Sequence, residues 1–342
     1  MSEASGASRA VGIDRIRAVR RTARAGRSPA TRLPILLAVL AAAPGAASAQ
    51  QARESSFERS VVEVAPSTGP IDKLVIDNRY GDVRVEGHDG DTVVIHAFKR
   101  AADDSALERL KVALVADPSG ALRIGTRLAE GREGARIAAG SIRIDLVIQA
   151  PREAAVSATL FKGTVAVRGM ENGADLKTEE GEIDVRNSSG RITTHSARGK
   201  QQFSEIVGEL EAAGQIGDVE LEMIRGRRLQ AMLHQGTVVG RRISSRNLTI
   251  WVTRGDIRIE GVAAAGGKWR LMTHNGNVEV RLAPGAAIAL RARARGGQIS
   301  LPSALRAARR DDQGWTVASS AQRARAAMVE LAANVGNIAV SF

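Results

Sequence analysis

The chain contains no cysteine. That single absence excludes disulfides, a lipid-modified cysteine at an export cleavage site, thiolate metal sites and thiol catalysis. Aromatic residues are nearly as scarce, with one Tyr, five Phe and three Trp, or 3% of the chain. Large aromatics carry much of the buried area of ordinary cores and form the platforms on which sugars and ligands stack. The core therefore has to come from Val, Ile, Leu and Ala, which points to strands of small and β-branched residues. Nucleic-acid binding would need aromatics interleaved with the Arg residues, so no nucleic-acid partner is expected. The sequence has no G-x-S-x-G, no Ser-x-x-Lys, no glycine-rich phosphate loop and no Gly-Gly-x-Gly-x-Asp calcium repeat, which leaves no signature for nucleophilic, phosphoryl-transfer or β-roll calcium chemistry.

What is present begins with a leader. Arg15, Arg17, Arg20, Arg21, Arg24, Arg27 and Arg32 precede the apolar run Leu33–Ala43, and Ala47-Ser48-Ala49 supplies small residues for cleavage. The apolar run is about half the ~20 residues of a spanning helix. Residues 1–49 therefore read as a signal peptide, and the mature chain, exported to the periplasm or the cell surface, is expected to have no membrane span. Arg20-Arg21 is a poor twin-arginine match, because Thr22-Ala23 follows it.

Formal net charge is +12, unevenly spread. Residues 50–224 hold 22 basic and 29 acidic side chains, whereas residues 225–325 hold 19 and 5. Arg241, Arg242, Arg291, Arg293 and Arg295 are the candidate anion-binding patch of this basic half; a solvated Arg-rich face is the plainer reading of the same residues.

Internal repetition decides the fold class. G-D-V-R-V-E-G at Gly81–Gly87 and G-D-I-R-I-E-G at Gly255–Gly261 are nearly the same heptapeptide. Looser copies follow Gly163, Gly181, Gly199, Gly217, Gly236, Gly276, Gly297 and Gly336, and from Gly163 to Gly297 successive glycines lie 18, 18, 18, 19, 19, 21 and 21 residues apart. Before each glycine runs a second alternating segment, such as Leu229-x-Ala231-x-Leu233, Leu248-x-Ile250-x-Val252 and Trp269-x-Leu271-x-Thr273. Alternation of this kind marks a strand with one buried face. One such unit cannot bury that face, but a stack can, each unit adding a rung at about 4.8 Å. The expected fold is all-β, a β-solenoid with two short strands per ~19-residue coil.

Residues 151–342 form the expected solenoid domain and residues 50–150 an N-terminal β-strand region, with a short helix at 105–110 and loops at 128–140 and 302–314. Outward positions after the glycines should form a column of Asp184, Gln202, Glu220, Val239, Arg258, Glu279 and Ser300, with Arg258 and Glu279 paired. Gln201, standing where an aliphatic residue belongs, predicts a flaw or kink at the Gly199 rung.

The opening V-I-D-N-R-Y-G-D-V-R-V-E-G, the alternating Ile142–Pro151 segment and the T-x-x-G-(D/E/N)-I-x-V coils at Thr178–Val185 and Thr273–Val280 resemble the bacterial "putative adhesin" β-strand-repeat family, a group of unknown function. The resemblance spans residues 71–342 and implies an exported repeat protein without a catalytic signature.

Chemistry along the coils is sparse. Asp184, Glu220 and Glu279 share one outward column but not neighbouring rungs, as the paired carboxylates of a polyuronate-cleaving β-helix would have to. Asp82, Asp218 and Asp256 follow glycines, where a short polar residue suits a turn. His234 and His274 share an edge column two rungs apart, roughly 10 Å, too far to ligate one metal, and His88, His96 and His195 lack partners. Arg254-Gly255-Asp256 spells an integrin-binding tripeptide, but as one rung of the stack it would lie along a ladder instead of protruding. The expectation is an exported, non-enzymatic, adhesin-like scaffold or binding module at the cell envelope, needing no cofactor or metal, with envelope polysaccharide or another envelope protein as partner. The alternative is a carbohydrate-active parallel β-helix enzyme acting on acidic glycans.

Overall fold

The computed structural model describes residues 57–64, 71–129, 142–311, 314–320 and 325–342. The leader at 1–49 and most of the loop at 128–140 lie outside the described residues. The described chain is a stack of coils with two parallel ladders, the first built from strands that precede the repeat glycines and the second from strands that follow them.

In the first ladder the spatial order is Ala121–Leu128, Lys73–Tyr80, Ala155–Lys162, Ala174–Glu180, the C-terminal arms of four long strands, Lys268–Asn275, Ala327–Val335 and Ile288–Ala294. The four long strands are Ile183–Arg198, Gln201–Ile216, Val219–Gln235 and Val238–Arg254. The second ladder runs Ile142–Pro151, Val83–His88, Val165–Arg168, the N-terminal arms of the same four strands, Ile257–Gly261, Val278–Leu282, Ile338–Ser341 and Ile299–Ser300. Antiparallel strands finish the ends. Leu110–Ala116 pairs Ala121–Leu128, Val94–Ala101 pairs Ile142–Pro151, and the hairpin of Arg306–Arg310 with Thr316–Ser319 closes on Ile288–Ala294. The expected loop at 302–314 thus contains a strand.

Spatial order departs from chain order at both ends. The first coil, 73–88, lies between strands that come later in sequence, and the last coil, 327–341, slips between the Gly276 and Gly297 coils. The outward neighbour of Glu279 is therefore Ala339, and Ser300 comes only after it.

The middle coils are also simpler than two strands joined by two turns. One corner is the repeat glycine. A Cβ on Gly181 would sit 1.8 Å from the carbonyl oxygen of Gly163, at φ +154°, so the stack closes only with hydrogen there. The other corner is a bend inside an unbroken strand, made by one residue at positive φ: Asn187, Glu205, Met223 and Arg242 in successive coils. A second glycine column, Gly190, Gly208 and Gly226, lies close behind that bend, where a Cβ added to Gly226 would fall 1.7 Å from the Gly208 carbonyl oxygen.

Inward positions are filled as the alternation requires, by Ile183, Val185, Ile192, Leu221, Leu229, Ile250 and their equivalents. The two large exceptions are Phe203 and Trp269, the latter donating its indole N–H to the Ser245 carbonyl at 2.8 Å. Gln201 makes no kink. It is buried in register with Ile183 and Val219, accepts the Thr194 hydroxyl at 2.6 Å and donates to the Ala213 carbonyl at 2.8 Å. A helix at Asp104–Arg109, capped by the Asp103 carboxylate on the Ala106 N–H, covers part of the N-terminal end.

Candidate functional site

The two ladders present different outer faces. On the second, Asp184, Gln202, Glu220, Val239, Arg258 and Glu279 stand in register. Their charges are consumed locally. Asp184 takes Arg186 at 2.7 Å and Arg168 at 3.8 Å, Glu220 takes Lys200 at 2.8 Å, and Arg258 meets Asp256 at 2.6 Å and Glu279 at 3.8 Å. The hydrogen bond that Arg186 donates to Asp184, ahead of the Asp184 charge, holds the Arg186 guanidinium above its ordinary value. No two carboxylates of this column stand on adjacent rungs, as the paired acid and base of a polyuronate-cleaving β-helix would have to.

Asp82, Asp218 and Asp256, which follow glycines, brace the corner, and Asp145, which follows Ile144, does the same for the first coil. Asp145 accepts the Asp82 N–H, Asp82 the Thr164 N–H, Asp218 the Thr237 N–H and Asp256 the Asn277 N–H, all at 2.7 to 2.9 Å, and Asn277 and Asn337 continue the series onto Asn337 and Gln298. Asp256 thus spends one oxygen on the next rung and the other on Arg258. Nothing of the Arg254-Gly255-Asp256 tripeptide is held out in a loop, as integrin recognition would need. His234 and His274 are exposed, with the rung of Val252 between theirs. Among the described residues no three His, Cys, Asp or Glu side chains are grouped to hold a metal ion.

The five arginines singled out by charge fall into two groups. Arg241 and Arg242 occupy the bend of the Val238–Arg254 strand, where Arg242 is ion-paired with Glu222. Arg291, Arg293 and Arg295 lie on or just beyond Ile288–Ala294, and two first-ladder strands separate that strand from Val238–Arg254. Arg291 bonds Asp311 at 3.1 Å, and the Arg291 and Arg293 guanidinium groups stand 5.1 and 5.8 Å from the centre of the Trp315 ring. These cation–π contacts fasten the end hairpin to the stack.

The outer face of the first ladder carries a feature that neither charge nor motif marks. Ala213, Met232, Trp251, Met272 and Ala332 stand in register on successive strands, followed by Arg293. Trp251 is 55% exposed and Met232 41%. Alternation points their neighbours Leu233, Ile250 and Leu271 into the core, so the same β geometry that buries those side chains presents Trp251 outward. The column is bordered on one side by Gln230 and Thr249 and on the other by His234, Thr253 and His274. The charged residues along its margin are paired with each other or nearby, Arg270 with Glu330 and Glu211 with Arg191, each at 3.8 Å. The result is an apolar strip one side chain wide on a hydrogen-bonded sheet. Its signal was in the sequence: Ala213, Met232, Trp251 and Met272 recur at 19, 19 and 21 residues, the repeat's own period.

Similarity to known proteins agrees with the repeat. A family model described as Toastrack DUF4097 matches residues 51–341. No curated protein matches the chain. Among solved structures, a "putative adhesin" from Bacteroides fragilis shares 12% identity, covering 82% of this chain and 97% of its own, with a TM-score of 0.39. A "putative adhesin" from Parabacteroides distasonis shares 9% over 84% and 98% with a TM-score of 0.29, and a "putative cell adhesion protein" from Clostridium sporogenes 9% over 83% and 99% with a TM-score of 0.24.

Proposed function

The chain belongs to the Toastrack DUF4097 family, and on that premise we propose that it is an exported, non-enzymatic, adhesin-like binding module of the cell envelope that makes its contact through the first-ladder face around Trp251. The observation that carries this is the exposure of Trp251. In a chain with three Trp, one is spent on an outer face, in register with Met232 and Met272. Contiguous exposed apolar side chains rimmed by polar ones mark contact surfaces, and Trp is the residue most enriched at their energetic centres.

Export is supported by the Arg-rich leader with its short apolar run, and among the described residues no helix is long and apolar enough to cross a membrane. A non-enzymatic role is supported by the use of Asp184, Glu220, Asp218 and Asp256 in ion pairs or corner bracing. The partner is an envelope polysaccharide or another envelope protein. Arg291, Arg293 and Arg295 adjoin the end of the strip and supply an anion-attracting rim to it, and Arg241 and Arg242 a second basic point at the bend.

Retention of envelope material from a diderm bacterium on the immobilised protein tests this reading. Trp251→Ala should lose most of the retained material, and neutralising the five arginines should weaken retention and flatten its salt dependence. Undiminished retention by Trp251→Ala would remove the first-ladder face from the reading.

A further inference from the structure

We propose that the Trp251 strip is a stacking platform for an uncharged glycan chain that runs across the strands, along the axis of the stack. The inference rests on the binding-face reading above and names its ligand class.

Width is the first reason. A stable protein–protein contact covers about 800 Å² on each partner and some 20 to 30 residues a side. A whole Trp side chain supplies at most about 250 Å², and here the two most exposed side chains, Trp251 and Met232, are only 55% and 41% exposed in a strip one residue wide. That is too little apolar area for a second copy of the chain or a globular partner. It suits a ligand that is itself narrow. From Ala213 to Ala332 are four rung steps, roughly 19 Å at the spacing of neighbouring strands, room for an oligosaccharide in extended form.

Composition is the second. A pyranose ring offers C–H groups on its faces and hydroxyls around its rim. The strip offers the complement, an indole face whose quadrupole attracts polarised C–H groups, with soft thioethers on either side. Along its margins stand side chains that both donate and accept hydrogen bonds: Gln230 and Thr249 on one, Thr253 on the other.

Charge is the third. Along the strip the flanking charges are paired, Arg270 with Glu330 and Glu211 with Arg191, Arg228 beyond Gln230 donates to the Gln230 side chain, and the rim of Arg291, Arg293 and Arg295 lies at the end of the strip, not along it. Arg293, the next residue in the column, lies over the Trp315 ring.

The test is calorimetric titration of the full chain with cellohexaose, laminarihexaose and maltohexaose, with polygalacturonate as the charged comparator. At least one uncharged hexasaccharide should bind, Trp251→Ala should weaken it at least tenfold, and Trp251→Phe should recover part of the loss. Because Trp251 is exposed, Trp251→Ala should melt at the wild-type temperature, and a folded, non-binding variant is therefore interpretable. The inference is overturned if no uncharged hexasaccharide binds, if Trp251→Ala binds equally well, or if polygalacturonate is the only ligand. Failure here is separable from failure of the binding-face reading. Envelope retention that depends on Trp251 without any hexasaccharide binding leaves the face and removes the glycan. Hexasaccharide binding that depends on Trp251, with retention that does not, leaves the stacking site and removes the face from envelope attachment.

Discussion

Thr194 donates its hydroxyl to the Gln201 side chain at 2.6 Å inside the core, and the Gln201 amide continues to the Ala213 carbonyl at 2.8 Å. Gln201→Leu would leave the Thr194 hydroxyl buried without its acceptor, a loss of about 1–3 kcal/mol. Adding Thr194→Val removes the orphaned group and should restore most of that. Urea unfolding midpoints of the two single variants and the double variant measure the coupling. Strict additivity would show that the pair does not act as a unit.

Gly181 faces the Gly163 carbonyl at a distance that no Cβ can share, 1.8 Å. Gly181→Ala combines this backbone clash with the wrong φ, itself of order 1–3 kcal/mol, and should abolish cooperative folding or lower the melting temperature by more than 10 °C on a ~2 to 4 °C per kcal/mol scale. Gly125→Ala is the control. It has open space around it and no positive φ, so it should be neutral or slightly stabilising.

Glu205 holds the positive-φ bend of its coil at φ +57° and is exposed. Left-handed backbone costs an ordinary L-residue about 1–2 kcal/mol, and Asn tolerates it better. Glu205→Asn should raise stability by roughly 0.5–1 kcal/mol, read as a higher thermal midpoint. No change would mean that the bend relaxes without the strain its φ implies.

Gly336 packs over the Gly276 carbonyl and under Gly297, each contact leaving 2.0 Å for a Cβ. Gly336→Val should keep the last coil from inserting, and amide exchange should then speed up in Ile288–Ala294 as well as in Ala327–Ser341, while strands before Gly255 stay protected. Faster exchange confined to the last coil would contradict the interleaved order.

How much of this could be read in the sequence depends on the kind of information. The coil period, the inward alternation, the corner role of Asp82, Asp218 and Asp256 and the Arg258–Glu279 pair were all legible, because each follows from local geometry repeated at a fixed spacing. The interleaving of the last coil was not. Parallel in-register pairing joins any coil to any other, so Gly276 offers the same edge to Gly297 and to Gly336, and no local residue choice distinguishes them. Gln201 is not legible as a core residue, because its partners, Thr194 and Ala213, sit on the other arm of its own and the neighbouring coil. Trp251 is less legible although its column has the repeat's period: alternation labels it outward, but nothing local to Trp251 says what stands on either side of it. Its significance depends on Met232 and Met272 being its lateral neighbours.

Because the coils at both ends are interleaved, the stack has one region where its length is free to change. Between Gly163 and Gly276 each coil touches only the coil before and the coil after it. An internal duplication there adds about 4.8 Å of height and one more member to every column, whereas a duplication at either end has to thread between strands already joined. Length and the reach of the outer face are therefore set together, from the middle outward.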